Sequence, residues 1–117
     1  MSNTDLVGFL CSASVALREA QRLHVRNFGT LVPHIFMTDV LARVGHCLAP
    51  GISAAEPADR DEAAHILAIL ERGMQEGERE TRNVIALSFV NDSEMEKFFL
   101  ELRPLLGPKL QGQLKGR

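Results

Sequence analysis

A chain of 117 residues, 45% hydrophobic and 24% charged, is long enough for one domain with one core, and this composition excludes wholesale disorder. A net charge of −2 gives no reason to expect a nucleic-acid partner, and no apolar stretch approaches the roughly 20 residues of a membrane span. The N-terminal segment starts acidic and has no export cleavage context, so we expect a cytoplasmic protein. In that compartment Cys11 and Cys47 are expected to be buried thiols and not a disulfide.

Apolar residues recur at helical spacing over residues 1–28 and predict one N-terminal helix. The stripe consists of Leu6, Leu10, Ala13, Leu17, Ala20 and Leu23. Arg18, Arg22 and Arg26 follow one another at i, i+4 spacing, which is typical of a solvated ridge. Gly29 is expected to end this helix, and Thr30 to cap the next one.

The stretch "TLVPHIFMTDVLARVGHCL" (residues 30–48) predicts a core helix with Pro33 in its first turn. Its apolar side chains fill one arc of the helical wheel, and Asp39 and Arg43 lie opposite, four residues apart. We therefore expect these two to form a surface ion pair. His34 and His46 lie about 120° apart on the wheel, so they are not expected to share a metal ion.

Residues 49–57 are rich in proline, glycine, serine and alanine and predict a loop. A helix is then expected from Pro57 to Gly77, with its stripe at Ala63, Ile66, Leu67, Leu70 and Met74. Residues 81–92 are apolar all round and would suit a buried strand at 84–90. We favour a helix, because the chain offers no second strand to pair with it.

Ser93 followed by Glu96 is a capping-box signature, which predicts that a fifth helix opens at Ser93. Pro104 is expected to end or kink that helix, and residues 104–117 are expected to form a weakly ordered tail. Together these elements predict a single all-α domain, a compact bundle of five or six helices with antiparallel neighbours stacked like helical-repeat units.

No residue pattern predicts catalysis, a cofactor or a metal site. Glu62 and His65 have the E-x-x-H spacing of di-iron bundles, but that site needs a second copy that this chain lacks. His46 and Cys47 lie about 100° apart on a helix and do not face each other. Ser88 has no nucleophile-elbow context. We therefore expect a protein that is not an enzyme.

The charge distribution is more informative than the motifs. Residues 56–80 contain eight acidic residues against three arginines. A solvated helix face would explain this excess, and so would an acidic surface that steers and docks a basic protein partner. The candidate partner-binding residues are Asp61, Glu62, Glu71, Glu76, Glu78 and Glu80.

The segments "LVPHIFMTDVL", "ILAILERGM", "NVIALSFVND" and "LRPLLGPKL" resemble a family of small, uncharacterised bacterial helical domains, over about Gly29 to Leu110. The matching positions are Pro33, Phe36, Met37, Leu70, Glu71, Ser88, Phe89, Leu106, Gly107, Pro108 and Leu110. Proteins of this build resemble the immunity members of bacterial toxin–immunity systems. The resemblance implies that most of these positions are core or corner residues, with Glu71 left for a specific polar contact.

Two functions follow as hypotheses. In the first, the chain is an immunity-type inhibitor that binds and neutralises a bacterial toxin through its acidic face. In the second, it is a scaffold or regulatory subunit that forms a homodimer through exposed apolar residues on the first helix or the tail. A small metal enzyme is a third and weaker hypothesis.

Overall fold

Helices account for most of residues 1–49, 51 and 54–115, which are the residues that the computed structural model describes. The elements are α1 (Asn3–Ala13), α2 (Val15–Phe28), α3 (Pro33–Leu48), α4 (Pro57–Glu76), α5 (Arg79–Ile85), a π-helix (Ala86–Asn91), α6 (Phe99–Leu102), a 3₁₀ helix (Arg103–Leu105) and α7 (Pro108–Gln111). No strand occurs within these ranges, so the all-α prediction is confirmed. Residues 84–90, where a strand had been the alternative, are helical.

The predicted N-terminal helix over residues 1–28 is two helices, and that prediction was wrong. Ser14 adopts an extended conformation (φ −147°, ψ 118°) between α1 and α2. Its hydroxyl accepts a hydrogen bond from the Leu17 amide at 3.1 Å, which caps α2, and donates one to Glu62 on α4 at 2.8 Å. The apolar pattern continues across the break, because Leu6 and Leu10 on α1 and Leu17 on α2 are buried in the same core, whereas Leu23 at the end of the stripe is exposed.

The connection between α2 and α3 is fixed by a buried histidine. Gly29 ends α2 in the left-handed conformation (φ 77°), as the sequence predicted, and Pro33 is the first residue of α3. The expected cap at Thr30 is absent, because α3 begins after Val32. Instead, the Val32 amide donates to Nε2 of His24 at 2.9 Å. His24 is only 4% exposed, so this bond satisfies a buried imidazole nitrogen.

Helix α4 runs from Pro57 to Glu76, as predicted, and the chain then turns sharply at Gly77. The Gly77 amide donates to the carbonyl of Gly73 at 2.8 Å. A Cβ atom at Gly77 would lie 2.2 Å from that carbonyl oxygen, so the turn requires glycine. Of the predicted loop at 49–57, residues 50, 52 and 53 lie outside the described part of the chain.

The apolar segment after α5 widens into the π-helix. Val84, Ile85, Phe89 and Val90 are almost completely buried, while Leu87 is half exposed. A π-helix bonds residue i to residue i+5, which brings residues five apart towards one face. The pairs Val84–Phe89 and Ile85–Val90 have this spacing, so the widened turn buries both pairs.

The predicted capping box at Ser93 was wrong. Ser93 is buried, and its hydroxyl donates to the carbonyl of Val90 at 2.6 Å, so it closes the preceding helical segment instead of opening a new one. The next α-helix, α6, starts at Phe99 and gives way to a 3₁₀ turn at Pro104, where the sequence predicted an end or a kink. Within the predicted tail, Leu110 and Leu114 are buried in the common core.

Helix α3 lies at the centre of the bundle, packed against α2, α4, α5 and the π-helix. Its buried side chains are Phe36, Met37, Val40, Leu41, Val44, Cys47 and Leu48. Helix α1 packs against α2, α4 and α5 and so covers one side of the bundle. The radius of gyration is 13.2 Å, close to the roughly 13 Å expected for one domain of this length.

Candidate functional site

The six predicted partner-binding acids do not form one patch. Asp61 and Glu62 lie near the start of α4, Glu76 ends that helix, and Glu78 and Glu80 lie in and after the following turn. Fifteen residues of helix separate Asp61 from Glu76, which corresponds to about 22 Å along the axis. The acidic surface therefore has two parts, one at each end of α4.

Glu62 is engaged inside the protein. Its carboxylate accepts two hydrogen bonds from the Arg43 guanidinium, at 2.6 and 2.8 Å, and one from Ser14. The side chain is 18% exposed, and the pKa of Glu62 is lowered, mainly by the hydrogen bonds from Arg43. Through these contacts the Glu62 carboxylate holds α1, α2 and α3 against α4.

The predicted ion pair between Asp39 and Arg43 was wrong, because Arg43 reaches across to α4. The guanidinium bonds to Glu62 and lies 3.8 Å from a carboxylate oxygen of Asp59. Asp39 is left half-buried beside α2, and its burial raises its pKa. The i, i+4 rule considers only residues of one helix, whereas this arginine is shared between two helices.

Glu71, another predicted partner-binding acid, makes a polar contact inside the protein. Its carboxylate accepts hydrogen bonds from the backbone amides of Lys109 and Leu110, each at 2.9 Å. These amides are in the first turn of α7, where they have no partner within the helix. Gly107 packs closely, since a Cβ atom there would lie 2.5 Å from a Glu71 oxygen.

Among the remaining candidates, Glu76 pairs with Arg72 at 2.5 Å, and Arg72 also lies over the ring of Phe9. Asp61, Glu78 and Glu80 are exposed and form no ion pair with any residue in the described ranges. These three carboxylates are therefore the ones available to a partner without breaking a contact.

One cluster has the composition of a metal site. Ligand atoms of Cys47, Asp59 and Glu62 lie within 4.8 Å of one another. Arg43 already supplies the positive charge for both carboxylates, and burial raises the pKa of the Cys47 thiol, which disfavours the thiolate that a metal would need. We therefore interpret the cluster as a structural ion pair. His65, the other half of the E-x-x-H spacing, is exposed.

The structure also joins two residues that the sequence analysis treated separately. Nδ1 of His34 and the hydroxyl of Ser88 are 2.5 Å apart. Their separation of 54 residues along the chain gave no local signal of this contact. No carboxylate among the described residues bonds the imidazole, so the pair lacks the orienting group of a catalytic triad.

An apolar surface lies across the α2–α3 connection. Large side chains with at least a third of their surface exposed include Leu23 (42%), Phe28 (52%) and Ile35 (43%). They border a hollow of about 260 Å³ together with Asn27 and Asp39. Aromatic and aliphatic anchors surrounded by polar groups are common in protein interfaces.

The fold places the chain in the broad class of all-α helical bundles. No family model matches the sequence, and no curated protein or solved structure matches it. No helix of the described residues is both long enough and apolar enough to cross a membrane. The function proposed below therefore rests on the residues themselves.

Proposed function

We propose that this chain is a non-enzymatic protein-binding domain that acts as an immunity-type inhibitor of a bacterial toxin. The proposal rests on a difference among the carboxylates, because some of them bond within the protein and others are exposed. Glu62 and Glu71 are used to hold helices together, whereas Asp61, Glu78 and Glu80 face solvent and form no ion pair with a residue that the structure describes. A second support is the resemblance of the apolar landmarks, whose large members Phe36, Met37 and Phe89 are buried, as core residues would be.

Charge complementarity is the proposed mechanism of recognition. Exposed carboxylates at both ends of α4 raise the rate of encounter with a basic protein surface, and they neutralise that surface once bound. A typical interface buries about 800 Å² on each partner, enough to include both ends of α4. Occlusion of a basic active-site region would then inhibit the toxin without any chemistry by this chain.

The test first asks whether a gene beside that of this chain encodes a protein with a toxic domain, and it uses that domain as the binding partner. Charge reversal of the three free carboxylates (Asp61→Lys, Glu78→Lys, Glu80→Lys) should weaken binding by about tenfold or more and remove most of its salt dependence, mainly by slowing association. Calorimetry and stopped-flow mixing at two salt concentrations measure both effects.

A matched control reverses Asp92, Glu96 and Glu101, which change the total charge equally and form no ion pair with a described residue. The control should retain the affinity of the unmodified chain. If the test variant binds as tightly as the unmodified chain, or if both variants lose the same amount of affinity, the α4 carboxylates do not form the interface.

Self-association is a second candidate function, favoured by the apolar surface at Leu23, Phe28 and Ile35. The leucines of the C-terminal segment are buried, so this surface on α2 and α3 is the place to test. Light scattering of the purified chain decides between the two functions. A stable dimer that Phe28→Glu converts to a monomer favours the scaffold, and a monomer at all concentrations favours the inhibitor.

We place the proposed activity in the cytoplasm. Cys11 and Cys47 are both free and buried thiols, which suits a reducing compartment. Fractionation of cells that produce the chain, followed by detection with an antibody, tests this location.

A further inference from the structure

Three basic side chains converge on one concave site that the acidic-surface proposal does not use. A cleft of about 360 Å³ lies where α5 approaches α7. Arg79, Arg82 and Lys109 line it, and none of them pairs with an acid among the residues described. The volume is in the range of small-molecule sites, which begin at about 300 Å³.

The α5 wall of the cleft follows from helical spacing. Arg79, Arg82, Asn83 and Ala86 recur at i, i+3, i+4 and i+7, so they share one face of the helix. Glu78 and Glu80, which flank Arg79 in the sequence, are not among the lining residues. The cleft is therefore basic even though this part of the chain is rich in acids.

The opposite wall depends on the internal contact of Glu71. Its carboxylate binds the amides of Lys109 and Leu110 and so fixes the start of α7 against α4. This contact fixes the backbone at Lys109, whose side chain lines the cleft together with the two arginines and Gln113. Met74 and Ala86 supply the apolar part of the lining.

The chemistry of the lining matches a phosphate group. Guanidinium groups bind phosphate oxygens through paired hydrogen bonds, and a lysine adds a point charge. Asn83 and Gln113 offer amide donors, and Met74 and Ala86 offer a surface for a small carbon skeleton. Arg79, Arg82 and Lys109 form no ion pair with a described acid, so a bound anion would supply their counter-charge.

We propose that this cleft binds a small phosphorylated molecule carrying a phosphate or diphosphate group. A small ligand is favoured over a nucleic acid, because Glu78 and Glu80 lie beside the cationic residues in the sequence and would repel an extended polyanion. The hollow along Arg18 and Arg22 is larger, about 480 Å³, but α2 alone lines it, so it lacks a second wall. This proposal is independent of toxin binding.

The experiment titrates the full chain with pyrophosphate and with ADP at about 0.1 M salt, where long-range attraction is largely screened. Calorimetry gives the affinity, and two-dimensional NMR reports which backbone amides shift. We expect saturable binding, with shifts concentrated at Asn83, Ala86 and Lys109. Tighter binding of ADP indicates that the apolar lining contacts the organic part, and equal binding indicates that the phosphate groups alone are recognised; either result supports the proposal.

Two triple variants complete the test. The first variant removes three exposed cations of the cleft by the substitutions Arg79→Gln, Arg82→Gln and Lys109→Gln. We expect its affinity for pyrophosphate and for ADP to fall by about tenfold or more. The control, Arg18→Gln, Arg22→Gln and Arg26→Gln, removes the same charge from the ridge on α2 and should bind within about twofold of the unmodified chain. Thermal unfolding of both variants confirms that they fold.

Absence of saturable binding of either probe to the unmodified chain would overturn the proposal, and that measurement does not depend on any variant. Equal losses in the two triple variants would also overturn it, since they would reflect net charge alone. Tighter binding of a single-stranded oligonucleotide or a phosphopeptide than of ADP would show that the site serves a macromolecule.

Discussion

At the scale of single residues, Glu62 shows how an acid that position assigns to the surface can bond within the protein. It was a candidate for the partner surface, yet it contacts Arg43 on α3 and Ser14 between α1 and α2. A carboxylate held by a guanidinium and a hydroxyl is expected to contribute more to stability than an exposed ion pair does. A predicted partner-binding acid is thus engaged inside the protein.

The lowered pKa of Glu62 predicts a pH-dependent contribution to stability. Because the folded state binds the proton less readily than the unfolded state, the contribution is complete above the ordinary value of 4.5 and is lost as the pH falls through the lower, folded-state pKa. Glu62→Gln should lower the free energy of unfolding by about 2 kcal/mol at neutral pH. Urea unfolding at a series of pH values measures the difference between the two proteins.

The difference should shrink in acid, below pH 4.5, because there the carboxyl of the unmodified chain also becomes neutral. Glu96→Gln is the control, and at an exposed position it should change stability by less than about 0.5 kcal/mol. A difference for Glu62→Gln that stays constant down to the most acidic conditions would contradict the proposed role of its charge.

At the scale of helices, Glu71 and Gly107 form the joint between α4 and α7. Glu71→Ala leaves two backbone amides without their acceptor and should lower the free energy of unfolding by about 2 kcal/mol. Gly107→Ala should have a similar effect, because the added methyl group takes the place of the carboxylate. Thermal or urea unfolding measures each variant.

The two substitutions act on one contact, so the double variant should lose clearly less than the sum of the single losses. Strictly additive losses would indicate that the two residues stabilise the protein separately.

The turn after α4 gives a second prediction at this scale. Gly77→Ala should lower the free energy of unfolding by more than about 2 kcal/mol, because its Cβ would meet a backbone oxygen that cannot move aside without disturbing the end of α4. Gly8→Ala, where nothing lies within 4 Å of the new Cβ, should instead stabilise the protein by about 0.5–1 kcal/mol through helix propensity. Differential scanning calorimetry compares the two, and similar effects would exclude the close contact as the cause.

Helix boundaries were predictable where a residue acts through its own backbone. Pro33 and Pro57 start α3 and α4, and Gly29 and Gly77 end α2 and α4, as local chemistry requires. The break at Ser14 was not predictable, because the apolar pattern continues through it and one of its hydroxyl contacts comes from a residue 48 positions away. The capping box at Ser93 failed for a related reason, since a buried hydroxyl bonds to the nearest free carbonyl.

The candidate site was less predictable than the fold. Composition located the acidic residues, but it could not separate Glu62 and Glu71, which bond within the protein, from Asp61, Glu78 and Glu80. The basic cleft was missed entirely, because Lys109 comes from a segment expected to be a loose tail. Charged residues that are far apart in the chain leave no pattern in a single sequence that would predict their meeting in the fold.

At the scale of the whole molecule, both cysteines are probes of global unfolding. Burial raises the pKa of the Cys11 and Cys47 thiols, so in the folded state they are both inaccessible and poorly nucleophilic. Reaction with an aromatic disulfide reagent should be at least about a hundredfold slower in buffer than in denaturant. The labelling rate should follow the unfolding rate or the unfolded population across denaturant concentrations. Rapid labelling of either thiol in buffer would contradict this, with Cys11→Ser and Cys47→Ser identifying which one reacts.

The arrangement of α1 and α2 depends on the two backbone angles of Ser14. If that residue became helical, α1 and α2 would join into one rod of about 39 Å, and the apolar side of α1 would point away from its own body. The surface that α1 covers would then be open in each copy, and α1 of a second copy could bind there. The Ser14 hydroxyl caps α2 and bonds to Glu62, and both contacts oppose this exchange of helices. Ser14 therefore determines whether α1 packs on its own chain.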